Sequence, residues 1–353
     1  MNKVSSKEKQ EKKIFRILIC LIPIALISSI VGGVILGSAD LTFASIIDVI
    51  RLKLFGIESE GATNAAISIV WELRLPRVLL AFAAGGGLAV AGAAMQSVTQ
   101  NVLAEPYILG VSGGASAAVA IAFVIGGSLS SSTSFVSICA FLGSMLSLIL
   151  VYSVGMVGSA GSGSRLVLSG MAVSVILTAA TQFFISIAPD TYTVRNITSW
   201  TMGSLSSARW DNLAIPFIGS LFGSCIFMLT ARAYNILSQG DETAISLGVN
   251  VNTIKKMTIV VVSLITGVIV AAGGTIGFVG FIVPHIVRSL VGADHRRVFP
   301  LSFIFGSLFL MWMDVLARTL FSPKELPVGI FTAFCGGPFF IWLIYRKNKN
   351  GRI

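Results

Sequence analysis

Long apolar runs, separated by short charged or Gly/Ser-rich breaks, organise the whole chain. From Pro106 to Ser164 there are 59 residues without Asp, Glu, Lys or Arg, and from Met257 to Val287 another 31. A helix needs roughly 20 apolar residues to cross a bilayer, and the breaks divide the chain into ten such stretches. They lie at about 17–37, 78–98, 107–126, 135–157, 166–187, 213–231, 257–274, 276–291, 299–318 and 327–345. The eighth is short and contains Pro284, so nine spans is the competing count. Strands of an outer-membrane barrel would alternate apolar and polar residues instead. The pattern therefore predicts an all-α polytopic membrane protein: a basic tail at 1–16, one transmembrane domain at 17–345 and a second basic tail at 346–353. The apolar stretch at 17–39 lacks a convincing small-residue cleavage site and is expected to stay as the first span.

Composition narrows the class. Hydrophobic residues make up 55% of the 353 residues and charged ones only 11%, against about 25% in an average soluble domain. A soluble enzyme, a nucleic-acid-binding domain and a disordered chain are excluded. The net charge of +10 is concentrated at the ends, with six basic residues before Ile17 and four after Tyr345. With both termini placed in the cytoplasm, 17 of the 25 basic residues fall on the inner side and 8 on the outer, as the positive-inside bias requires. Cys20, Cys139, Cys225 and Cys335 sit in four separate apolar runs and are expected to be buried thiols.

Two outer segments, 38–76 and 188–212, are long enough to be structured. The main cytoplasmic segment is 232–256. Within it, DETAISLGVNV predicts a short helix from Glu242 to Leu247, with Asp241 as N-cap and Gly248 as the stop.

Catalytic chemistry is missing. There is no GxxxxGK[ST] loop to cradle ATP phosphates. His285 and His295, ten residues apart near a cytoplasmic boundary, are expected to be structural, because a two-His metal site lacks its full set of ligands. Asp314, four residues before Arg318, forms an i, i+4 pair near the outer end of span nine. Small residues at four-residue spacing, Ala83, Gly87 and Ala91 and then Gly110 and Gly114, predict close helix packing. Gln96, Ser97, Thr99, Gln100 and Asn101 cluster where span two meets the cytoplasm. On span five, Ser174, Thr178, Thr181 and Gln182 share roughly one face. These side chains either bond between helices or wall a weakly polar path for a large solute.

Several motifs occur together and in order: ELRLPR (72–77), AGAAMQ (91–96), NVLAEPYILGVSGGA (101–115), SRLVLSG (164–170) and SWTMGSL (199–205). After them come AISLGVNV (244–251), GGTIGFVGFIVPHIVR (273–288), GADHRRVFP (292–300), DVLAR (314–318) and ELPVGIFTAFCGGPFF (325–340). In these the chain resembles the FecCD-type permeases of ABC importers for iron-siderophores, haem and cobalamin, over about Trp71–Leu343. One departure is Val102, where the family commonly has Pro. The resemblance implies a type II importer fold with ten spans. It implies a second permease subunit (a second copy or a paralogue), two ATPase subunits that hold the ATP and Mg, and a substrate-binding protein docking outside. This chain would bind no cofactor of its own.

Residue by residue, the resemblance assigns Arg74, Arg77 and Arg318 to docking of the binding protein. As outer arginines they would be exposed; snorkelling, or pairing with Glu72 and Asp314, is the other reading. It assigns Ala244, Leu247 and Gly248, within a coupling segment at 236–255, to the ATPase. It places Asn101, Leu103 and Ser164 at an inner gate, with Gln96, Ser174 and Thr178 along the path. The implied activity is ATP-driven import of an iron(III)-siderophore across the cytoplasmic membrane by alternating access. Haem, cobalamin and, from another class, an ion-coupled carrier are the alternatives.

Overall fold

The computed structural model describes residues 2–37, 39, 41–57, 59, 61–155 and 163–349. Among these the protein is helical, without strands. In order the helices are α1 (Asn2–Ile35), α2 (Phe43–Phe55), α3 (Asn64–Ile67), α4 (Leu75–Val98), α5 (Val111–Ile125), α6 (Thr133–Gly155) and α7 (Gly163–Ser186). The chain continues with α8 (Thr191–Thr201), α9 (Trp210–Leu229), α10 (Ala231–Leu237), α11 (Asp241–Ser246), α12 (Val251–Gly273), α13 (Val279–Val291), α14 (His295–Thr319) and α15 (Val328–Lys349). Seven helical segments are long and apolar enough to cross a membrane; three apolar stretches, Cys20–Ile35, Val111–Ile125 and Val279–Val291, are shorter.

The differences from the sequence reading have local causes. α1 does not start at the apolar boundary but runs back through the basic tail. The outer segment before span two is helical and runs unbroken into it from Asn64. Pro76 cannot donate to the ladder and crowds the carbonyl four residues back. The chain widens into a π turn at Ser68–Arg74, where Leu75 N–H reaches Val70 O. α5 starts at 111 and not 107, because Pro106 opens a 3-10 turn that Gly110 ends at φ 72°.

α13 begins only at Val279. The residues before it form an irregular connection from Gly274, which has φ 67°. Thirteen residues span about 20 Å, short of the ~30 Å hydrocarbon core. Irregular backbone at such depth needs partners from the protein. Tyr107 Oη accepts from Ile276 N–H at 2.9 Å, and the Glu105 carboxylate accepts from Phe278 N–H. Phe278 sits at φ 68°.

The core is built around α4, which is buried along nearly its whole length. Lipid gives helices no hydrophobic reason to associate, so close contact of small residues holds them. Gly85 of α4 faces Gly306 of α14, where an added Cβ would lie 2.2 Å from the Gly306 carbonyl oxygen. Gly92 faces Gly280 of α13, where the same atom would lie 1.9 Å from the carbonyl oxygen. α5 and α6 meet in the same way through Gly114 and Gly143. Of the small residues singled out in the sequence, Gly114 makes such a backbone approach, whereas Gly87 packs against Ser220.

The cysteines correct an expectation: Cys20, Cys225 and Cys335 are exposed and Cys139 half-buried. Their apolar runs present part of their surface outward, where a bilayer would cover it.

Candidate functional site

Two regions carry the polar chemistry, one at each end of the helix bundle. At the first, α4 and α14 place Arg77, Asp314 and Arg318 together. Arg77 Nε donates to both Asp314 oxygens at 2.9 and 3.1 Å, and its Nη1 meets Glu325 Oε2 at 2.7 Å. Arg318 Nε lies 3.2 Å from Asp314 Oδ2, so one carboxylate serves two guanidinium groups. Asp314 is 1% exposed.

Arg74 and Arg318 also finish α1. The last carbonyls of a helix have no partner inside it and carry partial negative charge. Arg74 donates to Val34 O at 2.9 Å, Ile35 O at 2.8 Å and Ala39 O at 2.5 Å. Arg318 Nη2 reaches Gly33 O at 2.8 Å.

This corrects the expectation of freely exposed outer arginines. Arg74, Arg77 and Arg318 are 5%, 7% and 2% exposed. An unpaired charge at the edge of an apolar core would be costly, and the carboxylates and helix-end carbonyls compensate it. The Asp314–Arg318 pair read from spacing is present; Arg77 joins it across 237 residues. The three arginines still line a cleft of about 270 Å³ together with Leu73, Ser206, Arg209 and Glu325. Arg318 Nη1 is buried there without a hydrogen-bond partner. Beside the cleft, Trp210 packs at a tilt against Trp71, with ring centroids 5.3 Å apart, and donates to its carbonyl at 2.8 Å, tying α9 to the π turn.

At the other end lie α10, α11 and the end of α4. α11 runs from Asp241 to Ser246, close to the expected helix, but its N-cap is Gly240 at φ 112°. Asp241 is not the cap; its carboxylate pairs with Lys255. Gly248, at φ 79°, turns the chain out of the helix as expected. Ala244 is fully buried, so its side chain faces the permease and not a partner. Leu247 and Ile245 point outward, at 59% and 64% exposed.

Gln96 is likewise not open to a path. It is buried, donating to Gly280 O at 3.3 Å and accepting from Arg288. Asn101 and Leu103 are exposed in the turn after α4, where the Asn101 side chain accepts from Leu103 N–H at 3.0 Å. Ser174 is half-buried beside Gly110, and Thr178 is exposed on α7. Thr181 bonds back to Leu177 O at 2.9 Å, so the polar face of span five is divided between packing and exposure. Ser164 lies in the first turn of α7, but its side chain falls outside the described residues, as does most of the GSAGSGS linker.

His295 is buried and engages Ser97 and Asn235, and His285 packs edge-on against Phe339 at 5.7 Å. Burial raises the pKa of the neighbouring Asp294 carboxyl, but the Asn235 amide, the Arg296 N–H and the charges of Arg297 and Arg296 outweigh it. They hold Asp294 below the usual carboxylate range. Sequence reasoning missed Glu105. Its one signal was a lone carboxylate directly before the longest uncharged stretch.

An all-helical bundle of apolar helices, with buried charge at one end and exposed short helices at the other, defines a polytopic membrane permease. The chain belongs to the FecCD transport family, whose model matches residues 22–346. It is 39% identical over 293 residues to the hemin transport system permease of Yersinia pestis, covering 82% of this chain and 87% of that one. It is 36% identical over 348 residues to the iron(III)-citrate import permease of Bacillus subtilis, covering 98% of both. A solved metal-chelate type ABC transporter in an inward-facing conformation superposes with a TM-score of 0.79 at 28% identity, covering 94% of this chain and 99% of that one. The family is made of ABC importer permeases, which work with ATPases and substrate-binding proteins. The ion-coupled carrier considered from the sequence is therefore set aside.

Proposed function

We propose that this chain is the permease of an importer for an iron(III) chelate of the siderophore type, with ten spans and both termini in the cytoplasm. It sits in the cytoplasmic membrane beside a second permease subunit, a second copy or a paralogue. Two ATPase subunits hold the ATP and Mg, and this chain binds no cofactor. The positive-inside count supports the orientation. α13 would cross together with the irregular stretch before it. The observation that carries the substrate reading is the iron(III)-citrate relative, which matches end to end. Haem is the second reading, favoured by the hemin relative. Proteoliposomes holding the complete importer, supplied with radiolabelled iron(III)-hydroxamate, iron(III)-citrate, haemin or cobalamin, test it. Vanadate-sensitive uptake of an iron chelate alone supports it, and uptake of haemin or cobalamin alone overturns it.

The arginine-lined cleft is the docking site for carboxylates of the binding protein, through Arg74, Arg77 and Arg318. What supports this is the unused donor of Arg318. Because these three hold the fold together, docking is better tested at Arg209, which is exposed and borders the cleft. Rim charges act mainly on association rate. Arg209→Glu is expected to slow association of the binding protein about tenfold at low salt, with the difference closing as salt rises. Equal rates at low salt would argue against docking here.

Leu247 and Gly248 of the 236–255 segment contact the ATPase, with Ile245 beside them, while Ala244 anchors α11 from within. A six-residue helix is not stable alone in water and needs this packing. Leu247→Asp would place an unpaired carboxylate in an apolar contact, at a cost of several kcal/mol. Uptake is expected to fall about tenfold or more while ATP hydrolysis continues; wild-type uptake would show that the segment makes no such contact. Asn101, Leu103 and Ser164 are assigned to the inner gate, with Ser174 and Thr178 along the path.

A further inference from the structure

Three side chains from three helices, Ser97 and His295 buried and Asn235 half-buried, form a chain between α10 and the end of α4. Asn235 of α10 donates through Nδ2 to Asp294 Oδ1 at 2.7 Å, which fixes its amide so that Oδ1 faces His295. Oδ1 accepts from His295 N–H at 2.7 Å and lies 2.9 Å from His295 Nδ1. An amide oxygen is only an acceptor, so Nδ1 carries a proton. On the far side of the ring, His295 Nε2 lies 2.6 Å from Ser97 Oγ. The single proton of the Ser97 hydroxyl has two acceptors in reach, Nε2 of the neutral ring and Ala93 O at 2.9 Å. The ring is held by Phe299 at 5.0 Å and Tyr234 at 6.1 Å, and Tyr234 Oη bonds to Thr258 at 2.5 Å.

The two ends of this chain lie next to the two regions that must move together in an importer. Asn235 is on the short helix leading directly into α11, with its outward Ile245 and Leu247. Ser97 is in the last turn of α4, and Asn101 N–H is bonded back to Gln96 O at 3.2 Å beside it. Hydrogen-bonded groups packed between helices have few alternative arrangements, so a shift at one end is carried to the other.

We propose that Asn235, His295 and Ser97 are positioning residues that transmit movement of the α10–α11 segment to the gate turn at 99–103. This rests on the reading of α11 as the ATPase contact. A merely structural role would be to hold α4, α10 and α14 together, and it would not affect how the gate responds to ATP.

The test uses the complete importer with the four native cysteines of this chain replaced and spin labels placed at exposed sites of it. One protein carries Gln239→Cys and Leu129→Cys; another carries Leu103→Cys and Leu129→Cys. The change in label distance on adding ATP and vanadate is measured for each. In the unaltered background both distances are expected to shift. With Ser97→Ala the shift at 239 persists, and that at 103 is largely lost. Ser97→Thr, which keeps the hydroxyl, restores it. Adding Asn235→Ala to Ser97→Ala produces no further loss, because both break one chain. If Ser97→Ala does not assemble, Asn235→Ala alone reads the same link from its other end. A full shift at 103 in an assembled Ala variant overturns the proposal, as do losses that add in the double variant. If neither label moves in the unaltered background, the reading of α11 as the ATPase contact fails instead.

Discussion

Asp314→Ala is expected to be the most destabilising single change to a charged residue in this permease. It removes the carboxylate shared by Arg77 and Arg318 and leaves two buried guanidinium groups facing each other. Arg77 would retain Glu325, and Arg318 would retain only backbone oxygens. Breaking a buried pair from one side costs about 3–5 kcal/mol. That is a large part of the roughly 5–15 kcal/mol that holds an ordinary domain folded. The expected result is a protein that extracts poorly and melts at much lower temperature in detergent. Asp314→Asn, which keeps the shape and one acceptor, should lie between. An unchanged melting temperature for Asp314→Ala would show that the arginines find water or lipid phosphate instead.

The second large effect is steric. Gly92→Val puts its Cβ 1.9 Å from the Gly280 backbone oxygen, and backbone cannot give way as a side chain tip can. α4 and α13 must separate, and overpacking of this kind costs about 1–3 kcal/mol or more. Because α13 is anchored through the Arg288–Gln96 bond, separation should also disturb the C-terminal end of α4. Gly337→Ala is the matched control: its Cβ meets nothing within 4 Å, and its effect should stay within about 0.5 kcal/mol. Comparable losses in thermal stability for the two variants would contradict the close α4–α13 contact.

The sequence was informative where the physics is local. Charges cannot lie in hydrocarbon, so they marked the ends of the apolar runs, and most helices begin and end within a few residues of those marks. The Asp314–Arg318 pair was legible because it is one helical turn long. The exceptions depend on distant partners. Nothing near Arg77 points to Asp314, and nothing near Arg74 points to the carbonyls of α1. An arginine in a basic, Pro-containing motif therefore read as exposed. The late start of α13 depends on Glu105 and Tyr107, which stand far away in sequence and make an irregular backbone tolerable. Gln96 read as path-lining because a polar residue at a helix end has two uses, and only Arg288 decides between them.

The capping of α1 has a consequence for how the protein is made. α1 is made before the groups that cap it, and Arg74, some 40 residues later, covers Val34 O. The Gly33 carbonyl waits for Arg318, 285 residues further along. At about 5–20 residues per second, that delay lasts roughly 15–60 s. Gly85 of α4 likewise lacks its Gly306 contact until α14 has been made. α14 thus closes the bundle by joining α1 to a segment made 285 residues later, and a ribosome that stalls before Asp314 leaves the Gly33 carbonyl without Arg318.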